Sequence, residues 1–302
     1  MFVEGRREMG FVEPSWRSER LDRLLLRAGG WHDLSTVVRF LERDPKGNLF
    51  ALSWVEAHGM RTAPLAASHQ LLMAEDSGEL VGVCLVLGGR TAMPITHSAQ
   101  AARAFGRRLA ALSNELEHVV GAQDAVGNLW EGFGQGLLPR LDRDQRYYTL
   151  LPRDLIPSPK PTPVRLAELA DLEAIVQASA AMYREETLAD PFDDDPESFR
   201  KTHRQRILQN ASFVWREPGQ MLFKADISCS GRHGAQLAGV FTHPAFRGQG
   251  VARRALAEIC ARLLAHFPCL TLYVNEDNAP AIRLYEALGF VEHGAYRTIF
   301  VT

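Results

Sequence analysis

The 302-residue sequence has little of several features that mark large classes of proteins. Its four cysteines form no C-x-x-C pair and no zinc-site spacing, so we expect buried free thiols and no metal centre. These cysteines are Cys84, Cys229, Cys260 and Cys269. No apolar run approaches the roughly 18 residues that span a bilayer, and the N-terminus lacks a signal-peptide stretch. With a formal charge of -2, we expect a cytoplasmic protein that binds neither membrane nor nucleic acid.

The most informative stretch is THPAFRGQGVARRA, from Thr242 to Ala255, where two glycines precede an apolar pattern with helical spacing. Glycines at alternate positions allow positive φ, so successive backbone N–H groups can converge on an anion at the start of the helix. A triphosphatase loop needs a lysine and a hydroxyl residue after Gly250, and a dinucleotide loop needs a small residue where Arg253 stands. Neither requirement is met, which leaves another phosphate loop or a plain glycine-capped turn.

The segments around this loop predict an α/β unit with the loop at its switch point. Two strand-like runs, GQMLFKADIS and AQLAGVFTHP, flank a polar turn upstream and so predict an antiparallel hairpin. Downstream follow a helix, the strand CLTLYVNEDN, a second helix within NAPAIRLYEALGF and a final strand, GAYRTIFVT. We therefore expect a mixed α/β fold whose central sheet is mostly antiparallel and flanked by helices.

Two motifs in this order resemble the GCN5-related N-acetyltransferase (GNAT) superfamily. The first is Arg/Gln-x-x-Gly-x-Gly/Ala, met by Arg247, Gly250 and Ala252, and the second is N-x-x-A-x-x-L-Y-E-x-x-G-F, from Asn278 to Phe290. The resemblance covers Val164 to Thr302 and implies a transferase that uses acetyl-CoA or another acyl-CoA. In that family the pantetheine arm pairs with the strand before the loop, as an added strand would.

The resemblance also implies a coenzyme site and a proton donor. The implied coenzyme contacts are Val240, Phe241, Thr242, Arg247, Gly248, Gln249, Gly250, Val251, Ala252, Arg253 and Asn278. Tyr285 matches the family tyrosine that protonates the departing thiolate, and a phenol with a pKa near 10 suits that role. Tyr285 could instead be a core aromatic on a helix face. Asn278 could serve as a helix N-cap as well as a coenzyme ligand.

Acidic residues border the side on which GNAT folds admit the acceptor. They are Glu185 and Glu186 at a helix end and Asp190, Asp193, Asp194 and Asp195 in the loop that follows. Such carboxylates would attract a cationic amine, either a small molecule or a peptide, and Glu186 is the candidate base. His243 is an alternative base or a turn residue, and Asp195 also suits the N-cap of the next helix.

The chain divides at a proline-rich stretch, LIPSPKPTPV, which predicts an extended connector. We expect an N-terminal extension over 1–17, a degenerate GNAT-like domain over 18–154, a linker over 155–163 and a catalytic GNAT domain over 164–302. The internal repeat rests on ELVGV against QLAGV and LWEGFG against LYEALG, at nearly equal spacing.

The first copy lacks the features of a coenzyme site. Its loop reads GGRTAMPITH, in which Arg90 matches Arg247 but no glycine matches Gly250. Trp130 stands where Tyr285 does, and an indole cannot act as the acid. We therefore expect the first domain to be a structural partner or a wall of the acceptor site, with an unrelated α/β domain as the alternative.

The tandem order, with the stretches MLFKADIS, GVFTHPAFRGQG and MYREE, is similar to a bacterial family in which a DUF4081 domain precedes a GNAT domain. The activity this implies is direct transfer of an acyl group to an amine. Two alternatives stay open: a non-catalytic protein that holds acyl-CoA as a sensor or scaffold, and an aminoacyl-tRNA-dependent transferase, which also pairs two GNAT-like domains.

Overall fold

A computed structural model of the protein describes residues 18–21, 23–59, 70–112, 116–134, 136–158 and 160–301. The extension expected over residues 1–17 lies outside the described residues. The helices are α1 (Leu34–Leu41), α2 (Leu49–His58), α3 (Ala99–Leu112), α4 (Gln123–Gly134), α5 (Leu172–Thr187), α6 (Pro191–Asp194), α7 (Pro196–Leu208), α8 (Val251–Leu264) and α9 (Ala279–Glu286). The strands are β1 (Ser18–Leu21), β2 (Leu24–Ala28), β3 (Gln70–Asp76), β4 (Glu79–Leu87), β5 (Thr91–Thr96), β6 (His118–Ala122), β7 (Leu141–Leu150), β8 (Arg165–Leu166), β9 (Ser212–Glu217), β10 (Gln220–Gly231), β11 (Gly234–Thr242), β12 (Leu270–Asn275) and β13 (Val291–Phe300). No helix in the described part of the chain has the length and apolar character that a membrane crossing requires.

The chain forms two compact units. Unit 1 draws its described residues from 1–37, 60–138 and 300–302, and unit 2 draws them from 38–59 and 139–299. Unit 2 therefore contains α2 and β7, which both precede the proline-rich linker in the sequence. The expected domains, 18–154 and 164–302, are continuous segments of the sequence, whereas each compact unit combines separate segments. The expected domain boundaries therefore stay a prediction.

Among the strand pairs described, both units are mostly antiparallel and each contains a parallel pair. In unit 1 the strand order is β1-β2-β3-β4-β5-β6; β5 and β6 run parallel and the other neighbours run antiparallel. In unit 2 the order is β8-β9-β10-β11-β12-β7-β13, and β11 and β12 form the parallel pair. A helix connects the parallel strands in each unit, as a parallel crossover requires. The predicted mixed α/β fold is confirmed.

The structure shifts the alignment of the two repeats by one strand. GGRTAMPITH is not a loop, because Thr91–Thr96 form β5, which pairs with β4 and is largely buried. Pro94 obscures this strand in the sequence, since proline is disfavoured inside a sheet. β5, and not the ELVGV of β4, is therefore equivalent to β11. Arg90 lies in the hairpin turn before β5 and does not correspond to Arg247, so that expected match is wrong.

Two hydrophobic layers enclose the sheet of unit 2. Alternate residues of β9 contribute to opposite layers, with Phe213 on one side and Val214 on the other, as the pleat of a strand requires. The first layer includes α8 and α9, for example through Ile259, and the second includes α5 and α7, for example through Ile175. These layers hold β11 and the loop after it between two sets of helices.

A β-bulge shapes the end of β11 that leads to the glycine loop. Between its paired positions β11 has one residue more than β10, at Gly239 and Val240. Gly239 has a φ of 58°, which glycine adopts without strain. Lys224 Nζ donates to the Gly239 carbonyl at 2.8 Å and to Asp226 at 2.7 Å. A Cβ at Gly239 would lie 2.9 Å from Lys224 Nζ, so only glycine fits beside the ion pair.

The Lys224–Asp226 ion pair is fully buried, with each side chain 1% exposed. Burial raises the pKa of Asp226, but the charges of Lys224 and Arg206 and the Ser212 hydroxyl, which donates at 2.8 Å, hold the pKa below its usual value. Because the folded pKa is depressed, Asp226 stabilises the fold above its unfolded pKa of about 3.9. That contribution is lost as the pH falls through the folded pKa.

We expect Lys224→Met to lower the free energy of unfolding by about 3 to 5 kcal/mol, because the change leaves Asp226 buried without its nearest cation. Denaturant unfolding near neutral pH measures the loss. The double variant Lys224→Met/Asp226→Leu removes both charges and should recover much of the stability. A loss under about 1 kcal/mol, the value typical of an exposed pair, would contradict a structural role for this pair.

Candidate active site

β11 and β12 separate after a short parallel contact. Their pairing involves two residues of each strand, Ala235 and Gln236 in β11. Beyond Gln236, β11 continues to Thr242 against β10, while β12 continues to Asn275 against β7. Beyond Gln236 no strand in the described part of the chain pairs with the facing edges of β11 and β12. An extended ligand could therefore insert between these two strands as an additional strand. The three predicted contacts at the end of β11 lie on this edge: Val240, Phe241 and Thr242.

The loop after β11 ends in a series of free backbone amides. The N–H groups of residues 248 to 253 donate to no acceptor among the described residues. Gly248 and Gly250 each have a φ of 74°, and a Cβ at either position would meet nothing within 4 Å. Gly250 is the N-cap of α8, and no side chain takes over the capping. The loop therefore offers both the donors and the open space that a diphosphate requires.

Side chains of the loop brace its backbone. Arg247 donates to the Thr242 carbonyl at 3.1 Å and to both carboxylate oxygens of Glu185 at 3.1 Å. The Gln249 side-chain amide donates to a carbonyl earlier in the loop at 2.8 Å. His243 accepts a hydrogen bond from the backbone of its own turn, which matches the turn-residue alternative. These contacts hold the loop while its amides stay free.

Several acids of the expected acceptor entrance have structural partners. Asp195 is the N-cap of α7, as the sequence allowed. Asp190 caps α6 and pairs with Arg184 at 2.7 Å. Glu185 pairs with the loop arginine described above. The side chain of Asp194 lies outside the described part of the structure.

Glu186 differs from these acids because its carboxylate makes no hydrogen bond or ion pair with a described residue. It lies in the last turn of α5, where solvent reaches it. Surrounding protein nevertheless raises its pKa by burial; Glu185 adds to that rise, while Lys224 and Arg143 oppose it. Arg143 donates to the Glu186 backbone carbonyl at 3.1 Å and so positions this turn. A free carboxylate with a raised pKa suits a general base.

Tyr285 is a core aromatic, one of the two alternatives that the sequence left open, and its role as the proton donor stays a prediction. Its ring is 6% exposed, packs in the layer with Ile282 and Leu288, and meets Phe290 edge to face at 5.8 Å. Its hydroxyl makes no hydrogen bond with a described residue. Burial raises the pKa of Tyr285, and the charge of Glu186 raises it further. The hydroxyl therefore keeps its proton within electrostatic reach of the candidate base.

Asn278 is the N-cap of α9, because its side-chain oxygen accepts a hydrogen bond from the Ala281 backbone at 3.2 Å. This is the second of the two roles that the sequence allowed. Its side-chain nitrogen has no partner among the described residues, so its role as a coenzyme ligand stays a prediction.

The thiols of the described chain are poorly suited to nucleophilic chemistry. All four cysteines are free, and burial raises the pKa of Cys229 to about 11 and that of Cys260 to about 12. Thiols with such pKa values stay protonated near neutral pH, and the thiolate is the reactive form. Among the described residues no cluster of His, Cys, Asp or Glu could hold a metal ion.

The site predicted from the sequence did not include a stack of tyrosines that the structure shows near Glu186. Tyr273 of β12 stacks on Tyr296 at 5.3 Å between ring centroids, and Tyr296 lies against Tyr147 at 5.1 Å. Tyr273 is 40% exposed, and the charge of Glu186 adds to the effect of burial in raising its pKa. The signal is in the sequence: in TLYVN the tyrosine lies between two apolar residues that face the core, so it must face the opposite side.

The equivalent region of unit 1 is closed. A Cβ at Gly121 of β6 would lie 3.2 Å from the carbonyl oxygen of Pro94 in β5, so these parallel strands stay in contact. α3 and α4 meet at Gly106 and Gly132, where a Cβ would overlap the backbone of the opposite helix. Only residues 97–98 connect β5 to α3, so no glycine loop precedes that helix.

We compared the chain with known protein families and with solved structures. Residues 177–290 match the model of the Acetyltransferase (GNAT) family. Among solved structures, a GCN5-related N-acetyltransferase from Sphaerobacter thermophilus is similar with a TM-score of 0.62 and 16% identity, over 93% of this chain and 96% of that one. A tandem GNAT protein from the clavulanic acid biosynthesis pathway has a TM-score of 0.53 and 14% identity, over 92% and 98%. At these identities the likeness shows the fold alone. The sequence matches no curated protein.

We expect Gly250→Asp to weaken coenzyme A binding at least about 100-fold, because a carboxylate beside the free amides would repel the diphosphate at a cost of several kcal/mol. Titration calorimetry measures the affinity. Gly219→Asp is the matched control, since Gly219 has a φ of 86° and equally open surroundings in the β9–β10 turn. Unchanged affinity in a folded Gly250→Asp variant would rule out the loop as the diphosphate site.

Proposed function

We propose that the protein is an acyl-CoA-dependent N-acyltransferase acting on a primary amine; the match of residues 177–290 to the Acetyltransferase (GNAT) family model supports this proposal. Acetyl-CoA is the expected donor. The observation that carries this proposal is the run of free amides at residues 248 to 253, beside the gap between β11 and β12. The gap lies beside β11, and the free amides lie in the loop and the first turn of α8 that follow it, so both features belong to one strand–loop–helix unit.

The residues present fit a coenzyme A molecule. The free edge of β11 suits the pantetheine arm, and the loop amides with the open space at Gly248 and Gly250 suit the diphosphate. The residues that would hold it are Val240, Phe241, Thr242, Arg247, Gly248, Gln249, Gly250, Val251, Ala252, Arg253 and Asn278. When bound, acyl-CoA supplies an acyl group activated as a thioester.

Glu186 is the proposed general base. An amine with an ordinary pKa arrives as an ammonium and must lose a proton before its nitrogen can attack. The Glu186 carboxylate has no competing partner among the described residues, and its raised pKa brings its basicity closer to that of the amine. It accepts the proton directly or through a water molecule.

Tyr285 is the proposed general acid. Burial raises the pKa of Tyr285, so its hydroxyl is still protonated when the thiolate forms. The ring is immobilised in the core, so the proton is held at a fixed place without a rotamer search. Transfer is direct, since the buried thiols offer no nucleophile for a covalent intermediate.

The proposed acceptor is a cationic amine, either a small molecule or a peptide. Glu186 attracts an ammonium, and the ring of Tyr273, which is 40% exposed and within electrostatic reach of Glu186, offers a cation–π contact. In the described residues of unit 1 no glycine loop precedes α3, so we assign this unit a role without a coenzyme.

Two measurements test the function. Native mass spectrometry of the purified protein should find a bound coenzyme A species, and thiol release from acetyl-CoA should rise when a panel of cationic amines is added. Coenzyme binding without turnover for any amine, peptide or aminoglycoside would favour the sensor or scaffold alternative. Preference for an anionic acceptor would contradict the proposed acceptor class.

We expect the wild-type rate to rise with pH as Glu186 loses its proton, with a midpoint above the ordinary glutamate pKa. Glu186→Gln removes this limb and lowers turnover about 100-fold near neutral pH. The loss shrinks at high pH, where the amine arrives already deprotonated. Glu185→Gln is the control, since it removes a neighbouring charge and keeps the base. A Glu186→Gln variant with the wild-type pH–rate profile would contradict the assignment.

We expect Tyr285→Phe to keep coenzyme affinity and to lower turnover about 100-fold, because it preserves the packed ring and removes only the hydroxyl. Calorimetry measures the affinity, and single-turnover kinetics measure the chemical step. If the chemical step keeps its wild-type rate, Tyr285 is a core residue and water is the acid.

A further inference from the structure

The tyrosine stack near Glu186 forms an aromatic surface on one face of the sheet of unit 2. Tyr147 of β7, Tyr273 of β12 and Tyr296 of β13 come from three neighbouring strands. The residues on either side of Tyr273 in β12 pack in the layer with α8 and α9, so Tyr273 faces the layer that includes α5. The stack therefore lies on the side of the sheet where α5 carries Glu186.

The inner part of the stack is held in place. Tyr147 is buried, and its hydroxyl donates to the Lys46 carbonyl at 3.0 Å. Tyr296 is also buried and contacts both other rings. Tyr147 is in addition the cross-strand partner of Tyr273. Because the supporting rings are already ordered, a ligand that binds on the stack loses little free energy to ordering its site.

Tyr273 is the open end of the stack. Tyr296 covers one face of its ring, with an angle of 25° between the ring planes. Within the described chain the ring of Tyr273 contacts no other aromatic ring, and 40% of the residue is exposed. The exposed area therefore lies on the ring edge and on the face turned away from Tyr296. A planar group of similar size would continue the stack there.

The position of this open end matches the proposed chemistry. β12 leaves its parallel contact with β11 after Thr271, and Tyr273 lies two residues further along, on the strand that borders the gap. The charge of Glu186 acts on both Tyr273 and Tyr285, so the candidate base lies within electrostatic reach of both rings. The group attached to an amine bound at Glu186 can therefore lie on the open ring of Tyr273.

We propose that the acceptor is an amine that carries an aromatic ring, which stacks on Tyr273 while its ammonium binds Glu186. The inference rests on the proposed function, since it names the acceptor class of the same site. A bare ammonium would cover only part of the exposed Tyr273 ring, whereas a planar ring a few bonds from the nitrogen would cover its face. Tyr273 then determines acceptor specificity, and Glu186 keeps its role as the base. An arylalkylamine and a peptide whose first residue is aromatic both have this chemistry.

Two amines of equal charge and similar size, 2-phenylethylamine and 2-cyclohexylethylamine, test the inference with the full-length protein and acetyl-CoA. Only the first has a planar aromatic ring that can stack. We expect its kcat/KM to be about three- to tenfold higher, the range that one aromatic pair provides. The difference should lie in KM, because stacking contributes equally to the bound substrate and the transition state.

Three outcomes would contradict the inference. Equal kcat/KM values would mean that the ammonium alone is recognised, and turnover of other amines but of neither of these two would exclude an aromatic acceptor. Both results would leave the proposed function intact. Absence of turnover with any amine would overturn the proposed function and this inference with it.

Two peptides that differ in their first residue, phenylalanine or cyclohexylalanine, distinguish the two sources of the ring. A preference for phenylalanine, with a higher kcat/KM than that of 2-phenylethylamine, would support the inference with a peptide as acceptor. A higher kcat/KM for the small amine would support it with an arylalkylamine as acceptor.

Variants locate the stacking contact. Tyr273→Leu keeps an apolar side chain but removes the ring, so it should raise KM for 2-phenylethylamine and bring the kcat/KM ratio of the two amines to about one. Tyr273→Phe keeps the ring and should keep the wild-type ratio. Trp31→Leu is the control, since it removes a ring that is 78% exposed in unit 1 and should leave the ratio unchanged. Calorimetry with coenzyme A checks that each variant is folded. If the wild-type ratio persists in Tyr273→Leu, the acceptor does not stack on Tyr273 and the inference is wrong.

Discussion

The candidate site depends on the buried ion pair between Lys224 and Asp226. Two charges in the interior carry a large desolvation cost, which mutual attraction and further hydrogen bonds must offset. Lys224 supplies one such bond to the Gly239 carbonyl, and Ser212 supplies another to Asp226. Because the pair occupies the space beside Gly239, it requires glycine there and fixes the bulge in β11. The bulge lies just where β11 has left β12 and leads into the glycine loop.

Both units connect a pair of parallel strands through a helix, and in each the parallel ladder is two residue pairs long; the units differ beyond that ladder. In unit 2 the parallel strands separate, and the loop before α8 leaves its amides free. In unit 1 glycine contacts draw α3 onto α4 and β6 onto β5. A fold class therefore does not decide whether a coenzyme can bind; local separation of backbone elements does.

The proposed acid and base both have raised pKa values, although Tyr285 is buried and Glu186 is exposed at the end of α5. Glu186 becomes a stronger base and Tyr285 a more tightly protonated acid, and the charge of Glu186 contributes to the shift of Tyr285. Such coupling is expected between titratable groups that lie within electrostatic reach of each other. Glu185, Asp190 and Asp195 are engaged in caps or ion pairs, whereas Glu186 has no partner among the described residues and lies within electrostatic reach of Tyr273.

The sequence by itself determined the features that depend on short-range geometry. The glycine loop opening α8, the cap of α7 at Asp195 and the strand–loop–helix order follow from φ preferences and hydrogen bonds between near neighbours, which are properties of a few consecutive residues. Only the tertiary structure decided the rest: that Arg247 pairs with Glu185, that Lys224 is buried, that β7 joins unit 2, and that tyrosines of three strands form a stack. These depend on which distant segments pack together, because burial and ion pairing are set by residues far apart in the chain.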